Sequence, residues 1–181
     1  MDKLLKTYEE TDQAVQDSLE QADRETACKK GCCTCCQHIG FPILEPEVKN
    51  IAQHMKENVE TEIGGRMLRQ MEQYDPEKPC PFLVDTECGI YAIRPLACRT
   101  FYVHGEPCTE EEVTKFSRVP DIHRPDPNAI MEASRPLLEL YGIEDPQKQF
   151  MAFHSGLIQH VSFSMSDVAW SELASIIKSE K

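Results

Sequence analysis

The sequence predicts a mostly α-helical domain around an irregular, cysteine-rich metal-binding centre, with at most one small β-hairpin. Two observations lead to this fold class. Apolar residues recur at helical spacing toward both ends of the 181-residue chain. The middle is rich in proline and cysteine and contains only short strand-like runs. At this length we expect a single domain (1–181), divided into an N-terminal helix (1–27), a cysteine-cluster core (28–108) and a C-terminal helical region (109–181).

Residues 2–27 have the pattern of one amphipathic helix. Acidic residues fill much of its surface. The apolar residues that share one face are Leu4, Tyr8, Val15, Leu19 and Ala22. Such a helix either packs on the rest of the domain or acts as a partner-binding or dimerising arm. The apolar stripe is too short to separate these alternatives.

A second helix and a hairpin are predicted in the core. The helix begins at Glu45-Pro46, because proline is well tolerated in the first helical turn. Gly64-Gly65 is expected to break it before helical spacing resumes. Farther along, 82–84 and 89–91 are strand-like runs that can pair through the residues between them.

Helical spacing returns after a proline-punctuated connector at 118–128. A helix is predicted over about 128–141, with Pro136 bending or splitting it. Asp145-Pro146 is typical of a cap followed by a first turn, and apolar residues continue that helix to Val161. A final amphipathic helix follows.

Charge and cysteine usage narrow the function. The formal net charge of −12 argues against a nucleic-acid protein, which must neutralise phosphates, and against binding to anionic membranes. No apolar run resembles a secretory signal or a membrane span, so we expect a cytoplasmic protein, where thiols stay reduced. The odd count of nine cysteines and the adjacent pairs Cys32-Cys33 and Cys35-Cys36 also disfavour a disulfide framework. Metal ligation is the usual alternative.

The cysteines form two groups. The first contains a C-x3-C-x2-C-C skeleton, made by Cys28, Cys32, Cys35 and Cys36. Cys33 breaks that skeleton and is interpreted as a small buried hydrophobe. The second group contains C-P-F-L, C-x-I-Y-x2-R-P-x2-C-R and a later cysteine, with sulfurs at Cys80, Cys88, Cys98 and Cys108. The first group is too large for one tetrahedral site, so the second is expected to fold back and share that site or complete another.

This combination resembles the CxxCxxCC putative zinc- or iron-chelating domain family. The resemblance runs from Cys28 to about Phe101, with both halves in the same order. Carried over by position, it implies these metal ligands: Cys28, Cys32, Cys35, Cys36, Cys80, Cys88 and Cys98. Cys108 is a candidate eighth ligand beyond the aligned part. Flagellin lysine methylases contain a similar cysteine domain, so the resemblance also allows an iron–sulfur enzyme that modifies another protein, although this chain is short for that activity.

The sequence leaves two candidates for the bound metal. Cysteine ligation suits both iron–sulfur clusters and zinc. Arg94 and Arg99 flank the cysteines in an acidic chain, and we predict that they bind the cofactor by offsetting thiolate charge. Ordinary ion pairing with carboxylates is the alternative. We predict a [4Fe–4S] cluster, with zinc as the alternative, and regard His38 and His104 as weaker candidate ligands.

Three functional hypotheses follow. The first is a metal-binding domain whose iron–sulfur or zinc centre organises the fold. The second is a cluster-dependent enzyme that acts on a protein substrate by redox or group-transfer chemistry. The third is a metal-stabilised module that binds a protein partner. No motif in the sequence identifies a catalytic residue.

Overall fold

The computed structural model describes residues 2–29, 31–37, 40–109, 111–112 and 118–180. These residues form a mostly helical fold with two small sheets, so the predicted fold class is confirmed. The helices are α1 (Asp2–Glu20), α2 (Glu45–Asn58), α3 (Glu62–Glu72), α4 (Leu96–Thr100), α5 (Pro127–Ala133), α6 (Arg135–Leu140), α7 (Pro146–His154), α8 (Leu157–Val161) and α9 (Trp170–Ser179). The strands are β1 (Pro42–Ile43), β2 (Leu83–Val84), β3 (Glu87–Cys88) and β4 (Phe163–Ser164). Within these ranges, every helix is too short or too polar to cross a membrane.

The N-terminal helix packs on the domain. Leu4, Tyr8 and Val15 of α1 are buried, and the helix contacts α4, α5 and α6. It ends at Glu20, earlier than the predicted 27, because the chain beyond it pairs with a distant segment. Ala27 donates a backbone hydrogen bond of 2.7 Å to the carbonyl of Val103. This long-range pairing is incompatible with a continued helix.

Helix α2 begins at Glu45, as predicted, but the following break lies before the two glycines. The Thr61 hydroxyl caps α3 by accepting a hydrogen bond from the Gly64 amide. Gly64 is required there because a Cβ would collide with the backbone carbonyl of Asn58. The expectation that Gly64-Gly65 ends a helix is therefore wrong, since both residues lie inside α3.

The predicted hairpin is present, but its second strand lies earlier in the chain than predicted. Leu83 pairs with Cys88 and Val84 pairs with Glu87 in an antiparallel ladder. The chain reverses within two residues, since Asp85 adopts a positive φ of 58°. The second strand is therefore 87–88, and the predicted strand 89–91 instead leads into a 3₁₀ turn at Tyr91–Ile93.

The predicted cap and the predicted split in the C-terminal helices are both present. Ser134 separates α5 from α6, and Pro136 lies in the first turn of α6. Asp145 caps α7 by accepting hydrogen bonds from the amides of the second and third residues after it. The helix predicted to continue to Val161 is interrupted between α7 and α8, where Gly156 has a left-handed φ of 78°.

Two apolar clusters enclose the cysteine-rich segment. The larger is formed by α2, α3, α9 and the hairpin, and its centre is an edge-to-face pair of Phe82 and Trp170 with ring centroids 5.0 Å apart. The smaller includes Tyr8 of α1 and Leu137 of α6. Ile93, in the cysteine-rich segment, packs against both clusters. Ile93 therefore connects the cysteine-rich segment to both clusters.

Candidate metal centre

A single cavity gathers most of the thiols. Seven of the nine cysteines line a cavity of about 470 Å³, here called the cysteine cavity. They are Cys28, Cys32, Cys35, Cys36, Cys80, Cys88 and Cys98. These are the seven residues that the family resemblance implies as ligands. Cys33 and Cys108 do not line this cavity, although Cys108 lines a neighbouring one.

Backbone hydrogen bonds join the two cysteine groups. The Cys80 amide donates to the Cys36 carbonyl at 2.8 Å, which brings the start of the second group against the end of the first. The hairpin then places Cys88 opposite Leu83, whose amide donates to the Cys80 carbonyl. Cys98 follows on α4. The chain therefore folds back as the sequence predicted.

Cys28 is held from the other side of the cavity. The Val103 amide donates to the Cys28 sulfur at 3.4 Å, and the Cys28 amide donates to the Thr26 hydroxyl at 3.1 Å. An antiparallel bridge between Thr26 and His104 supports this contact. The segment after α1 and the segment after α4 therefore meet beside Cys28.

Four thiols lie within electrostatic range of one another. Each of them interacts electrostatically with the other three, and we call them the central quartet: Cys35, Cys80, Cys88 and Cys98. Burial raises the pKa of Cys80 and Cys98 far above the usual thiol range, and repulsion from neighbouring thiolates raises it further. The pKa of Cys35 is raised first by its hydrogen bond with Cys36 and then by burial. A bound metal cation would stabilise all four as thiolates.

Two cysteines lie nearer the edge of this arrangement. Cys32 is exposed. Burial raises the pKa of Cys108; Arg118 lowers it, while the thiols of Cys28 and Cys32 raise it. Cys108 is therefore within electrostatic range of the first cysteine group although it faces another cavity.

The thiols surround the cysteine cavity without meeting at one point. Among the His, Cys, Asp and Glu side chains of the described ranges, no three converge closely enough to form a finished metal site. The donor set nevertheless fits the two expected groups, because zinc and [4Fe–4S] clusters are both held by four cysteine thiolates. The apolar side chains of Phe41, Ile90 and Met165 also line the cavity, together with the charged residues Lys29, Glu87 and Arg94.

The segment that contains these cysteines matches a known protein family. The family model CxxCxxCC, described as a putative zinc- or iron-chelating domain, matches residues 27–121, more than half of the 181-residue chain. The chain belongs to this family. Every cysteine that lines the cavity lies within the CxxCxxCC domain, and so does Cys108. Comparisons with curated proteins and with solved structures found no match.

Arg94 and Arg99 of the CxxCxxCC domain make ion pairs with a helix outside it. Arg99 is only 2% exposed, and its Nη1 lies 2.5 Å from Oδ2 of Asp12 in α1. Arg94 lines the cysteine cavity, and its Nη2 lies 3.3 Å from Oδ1 of Asp12. Burial raises the pKa of Cys88, whereas the charges of both arginines lower it. The ion-pairing alternative therefore holds for both residues, and their cofactor-binding role stays a prediction.

A buried polar network fastens α4 to α1 and α2. The Arg99 guanidinium lies 4.0 Å from the centroid of the Tyr8 ring, and the Tyr8 hydroxyl donates to Glu47. Glu47 also accepts a 2.7 Å hydrogen bond from the Leu96 amide at the start of α4. Asp12 and Glu47 were not among the candidate residues predicted from the sequence. The available signal was Asp12 itself, a carboxylate four residues after Tyr8 on the apolar face of α1.

His104 lies away from the cysteine cavity. His104 does not line it, and its ring instead contacts His123. His38 lies outside the described residues, so the prediction that it is a weak ligand candidate is not addressed by the fold.

Proposed function

We propose that this protein binds an iron–sulfur centre of the [4Fe–4S] type through the thiols of the cysteine cavity. The observation that carries this proposal is the gathering of seven thiols around one cavity of about 470 Å³. The central quartet is the proposed ligand set, since its members are mutually coupled and a cubane cluster takes four cysteines. Family membership supports metal binding in general.

The spacing of the thiols favours a cluster over a single zinc ion. One zinc ion needs four thiolates at about 2.3 Å from a single point, whereas the described thiols surround a cavity of about 470 Å³ without converging on one point. A cluster of several metal atoms is larger than one ion and suits four thiols spread around such a cavity. Zinc remains the alternative, and the two are distinguished by composition.

The residues of the chain have separate roles in this proposal. The quartet thiolates bind the centre, and the guanidinium groups of Arg94 and Arg99 offset part of its negative charge. When bound, an iron–sulfur centre supplies one-electron transfer and cross-links the loops that hold it. The nine cysteines are all unpaired, which fits a reducing compartment such as the cytoplasm.

Alkylation mapping tests the ligand assignment. We expect the quartet thiols to resist iodoacetamide in the anaerobically metal-loaded protein, because ligated thiolates are not free nucleophiles. They should react after the metal is removed with a chelator, because loss of the centre loosens the loops that it cross-links and exposes their thiols. Mass spectrometry of the digested protein measures modification at each cysteine.

Cys33 is the internal control in the same experiment. It does not line the cysteine cavity, so its modification should be the same in the loaded and stripped protein. Equal reactivity of the quartet in both states, or protection confined to Cys33, would contradict the assignment.

A further inference from the structure

Residues 102–105, here called the middle segment, are held by the chain on both sides. Two antiparallel bridges make these contacts, one between Thr26 and His104 and the other between Val103 and Ile122. Successive backbone groups of a strand point to opposite sides, so the two bridges leave the middle segment between its neighbours. It therefore lies where the central strand of a small sheet would lie.

The middle segment also connects two thiols of the cysteine cavity. It follows α4, on which Cys98 lies. The Val103 amide donates to the Cys28 sulfur at 3.4 Å, while the Val103 carbonyl accepts a hydrogen bond of 2.7 Å from the Ala27 amide. A change in how this segment is held would therefore reach both Cys28 and Cys98.

Two histidines fasten the middle segment to residues 121–123. The His104 amide donates to the Asp121 carbonyl and the His123 amide donates to the Tyr102 carbonyl, so the two histidines are diagonal neighbours across antiparallel segments. Nε2 of His104 lies 3.0 Å from Nδ1 of His123, at hydrogen-bond distance. The two residues are only 8% and 7% exposed. The contact between the rings is therefore a buried polar link.

The geometry of this pair suits two neutral rings. The hydrogen bond between them uses an N–H of one ring and a lone pair of the other. The outer nitrogens, Nδ1 of His104 and Nε2 of His123, are buried and have no hydrogen-bond partner among the described residues. A further proton has to occupy one of these outer nitrogens. Protonation of the closed pair would thus bury a charge and an unsatisfied N–H, which is costly.

The charged side chains around the pair do not compensate for such a charge. Arg118 donates to the His104 carbonyl and to the Asp121 carboxylate, each at 2.8 Å. The same carboxylate accepts a 2.7 Å hydrogen bond from Arg24, so both of its oxygens are already paired. The other titratable or charged groups of the three segments are exposed at Glu25, Glu106 and Arg124 and half-buried at Cys28, Tyr102 and Cys108.

The direction of the pH dependence follows from this environment. Burial lowers the pKa of His123 from its usual value of 6.5, and the charge of His104 lowers that pKa further. A histidine with a lowered pKa in the closed state takes up its proton more readily once the pair is open. The closed state is therefore fully stable above about pH 6.5 and loses stability as the pH falls below that value.

We propose that the His104–His123 pair is an acid-sensitive latch, whose protonation releases the middle segment from residues 121–123. Because the middle segment connects Cys28 with Cys98, opening of the latch makes the metal centre more labile in mildly acidic solution. The effect on the metal rests on the proposed function, whereas the opening of the segment does not. The protein then holds its metal at neutral pH and releases it faster to an acceptor on acidification.

Hydrogen–deuterium exchange of the full-length protein at pH 7.5 and pH 5.5 tests the opening. We expect the protection of the amides in 102–105 and 121–123, corrected for the intrinsic exchange rate, to fall about ten- to hundredfold between these two pH values. That range corresponds to the uptake of one or two protons by the open pair. The rate of metal transfer to a chelator is measured on the same samples and should rise at pH 5.5.

A double variant separates the latch from other effects of acid. In His104→Gln combined with His123→Asn, the glutamine amide nitrogen replaces Nε2 and the asparagine oxygen replaces Nδ1, so the hydrogen bond is kept while neither side chain titrates. The fall in protection at pH 5.5 should be at least about tenfold smaller in this variant. His160→Gln, a change at an exposed histidine of α8, should behave like the wild-type protein.

NMR of the wild-type imidazoles keeps the latch testable if the double variant fails to fold. The ¹⁵N shifts should show His123 still neutral at the pH where the exposed His160 is half protonated. Equal protonation of the two histidines, unchanged protection at pH 5.5, or an equal fall in the double variant would overturn the latch.

The metal measurements separate the two proposals. Protection that falls as predicted in a protein without metal would contradict the metal proposal alone. Protection that is independent of pH in the metal-loaded protein would contradict the latch alone. A predicted fall in protection with equal rates of metal transfer in the wild-type protein and the double variant would overturn the connection between the latch and the metal centre.

Discussion

Replacing Cys98 with serine is expected to abolish stable retention of the metal centre. Cys98 lies on α4 and is electrostatically coupled to Cys35 and Cys88 across the cysteine cavity. A serine hydroxyl is a poor substitute for a soft thiolate ligand. The loss of affinity should exceed the roughly 10–100-fold cost of altering a residue that only supports a ligand. Metal per chain after anaerobic purification measures the effect.

Cys33→Ser is the matched control for this substitution. It makes the same chemical change in the same cysteine-rich region, but Cys33 does not line the cavity. We expect this variant to retain its full metal content. Equal retention by both variants, or loss only in Cys33→Ser, would show that the quartet is not the ligand set.

Replacing Asp12 with asparagine should destabilise the fold and speed the release of metal. The change removes the carboxylate that pairs with Arg99, whose side chain is 2% exposed. Breaking a buried pair costs about 3–5 kcal/mol, but Asp12 is 42% exposed, so solvent screening reduces the expected cost to about 2 kcal/mol. Because Arg99 directly follows Cys98, the effect should reach the metal centre. Urea unfolding and the rate of metal transfer to a chelator measure the two effects.

Asp17→Asn provides the comparison for Asp12. Asp17 lies on the exposed side of α1, where it accepts a hydrogen bond from Gln13. Asp17→Asn should change neither the free energy of unfolding nor the rate of metal release. Asp12→Glu keeps the carboxylate, so it should be more stable and release metal more slowly than Asp12→Asn. If Asp12→Asn behaves like Asp17→Asn, the ion pair does not support the centre.

The helical fold was predictable because apolar spacing and caps are local signals. In the sequence, Asp145 marks a helix cap and Pro136 marks a bend or split in the helix predicted over 128–141. In the fold, Asp145 caps α7 and the split between α5 and α6 lies just before Pro136. The errors arise where distant segments or a stronger local signal decide the structure. Helix α1 stops early because Ala27 pairs with Val103. Helix α3 starts before the glycines and continues through them, because the Thr61 hydroxyl caps it by accepting a hydrogen bond from the Gly64 amide.

The cysteines of the candidate site were predictable from the sequence, but the residues that hold them in place were not. The family resemblance, which rests on the order and spacing of the cysteines, implied the seven cysteines that line the cavity. The spacing does not reveal that Asp12 pairs with Arg94 and Arg99, since that contact joins segments more than eighty positions apart. Nor does it place Cys108 in a neighbouring cavity. The contacts of Asp12 depend on the packing of α1, which lies outside the CxxCxxCC domain.

Composition of the anaerobically purified protein tests the central claim most directly. A visible spectrum and analysis of iron, acid-labile sulfide and zinc would be recorded on one sample. We predict a brown protein with broad visible absorption and about four iron and four sulfide per chain, as a [4Fe–4S] centre requires. A colourless protein with stoichiometric zinc would contradict the iron–sulfur assignment, and a protein free of all metals would contradict metal binding by the cysteine cavity.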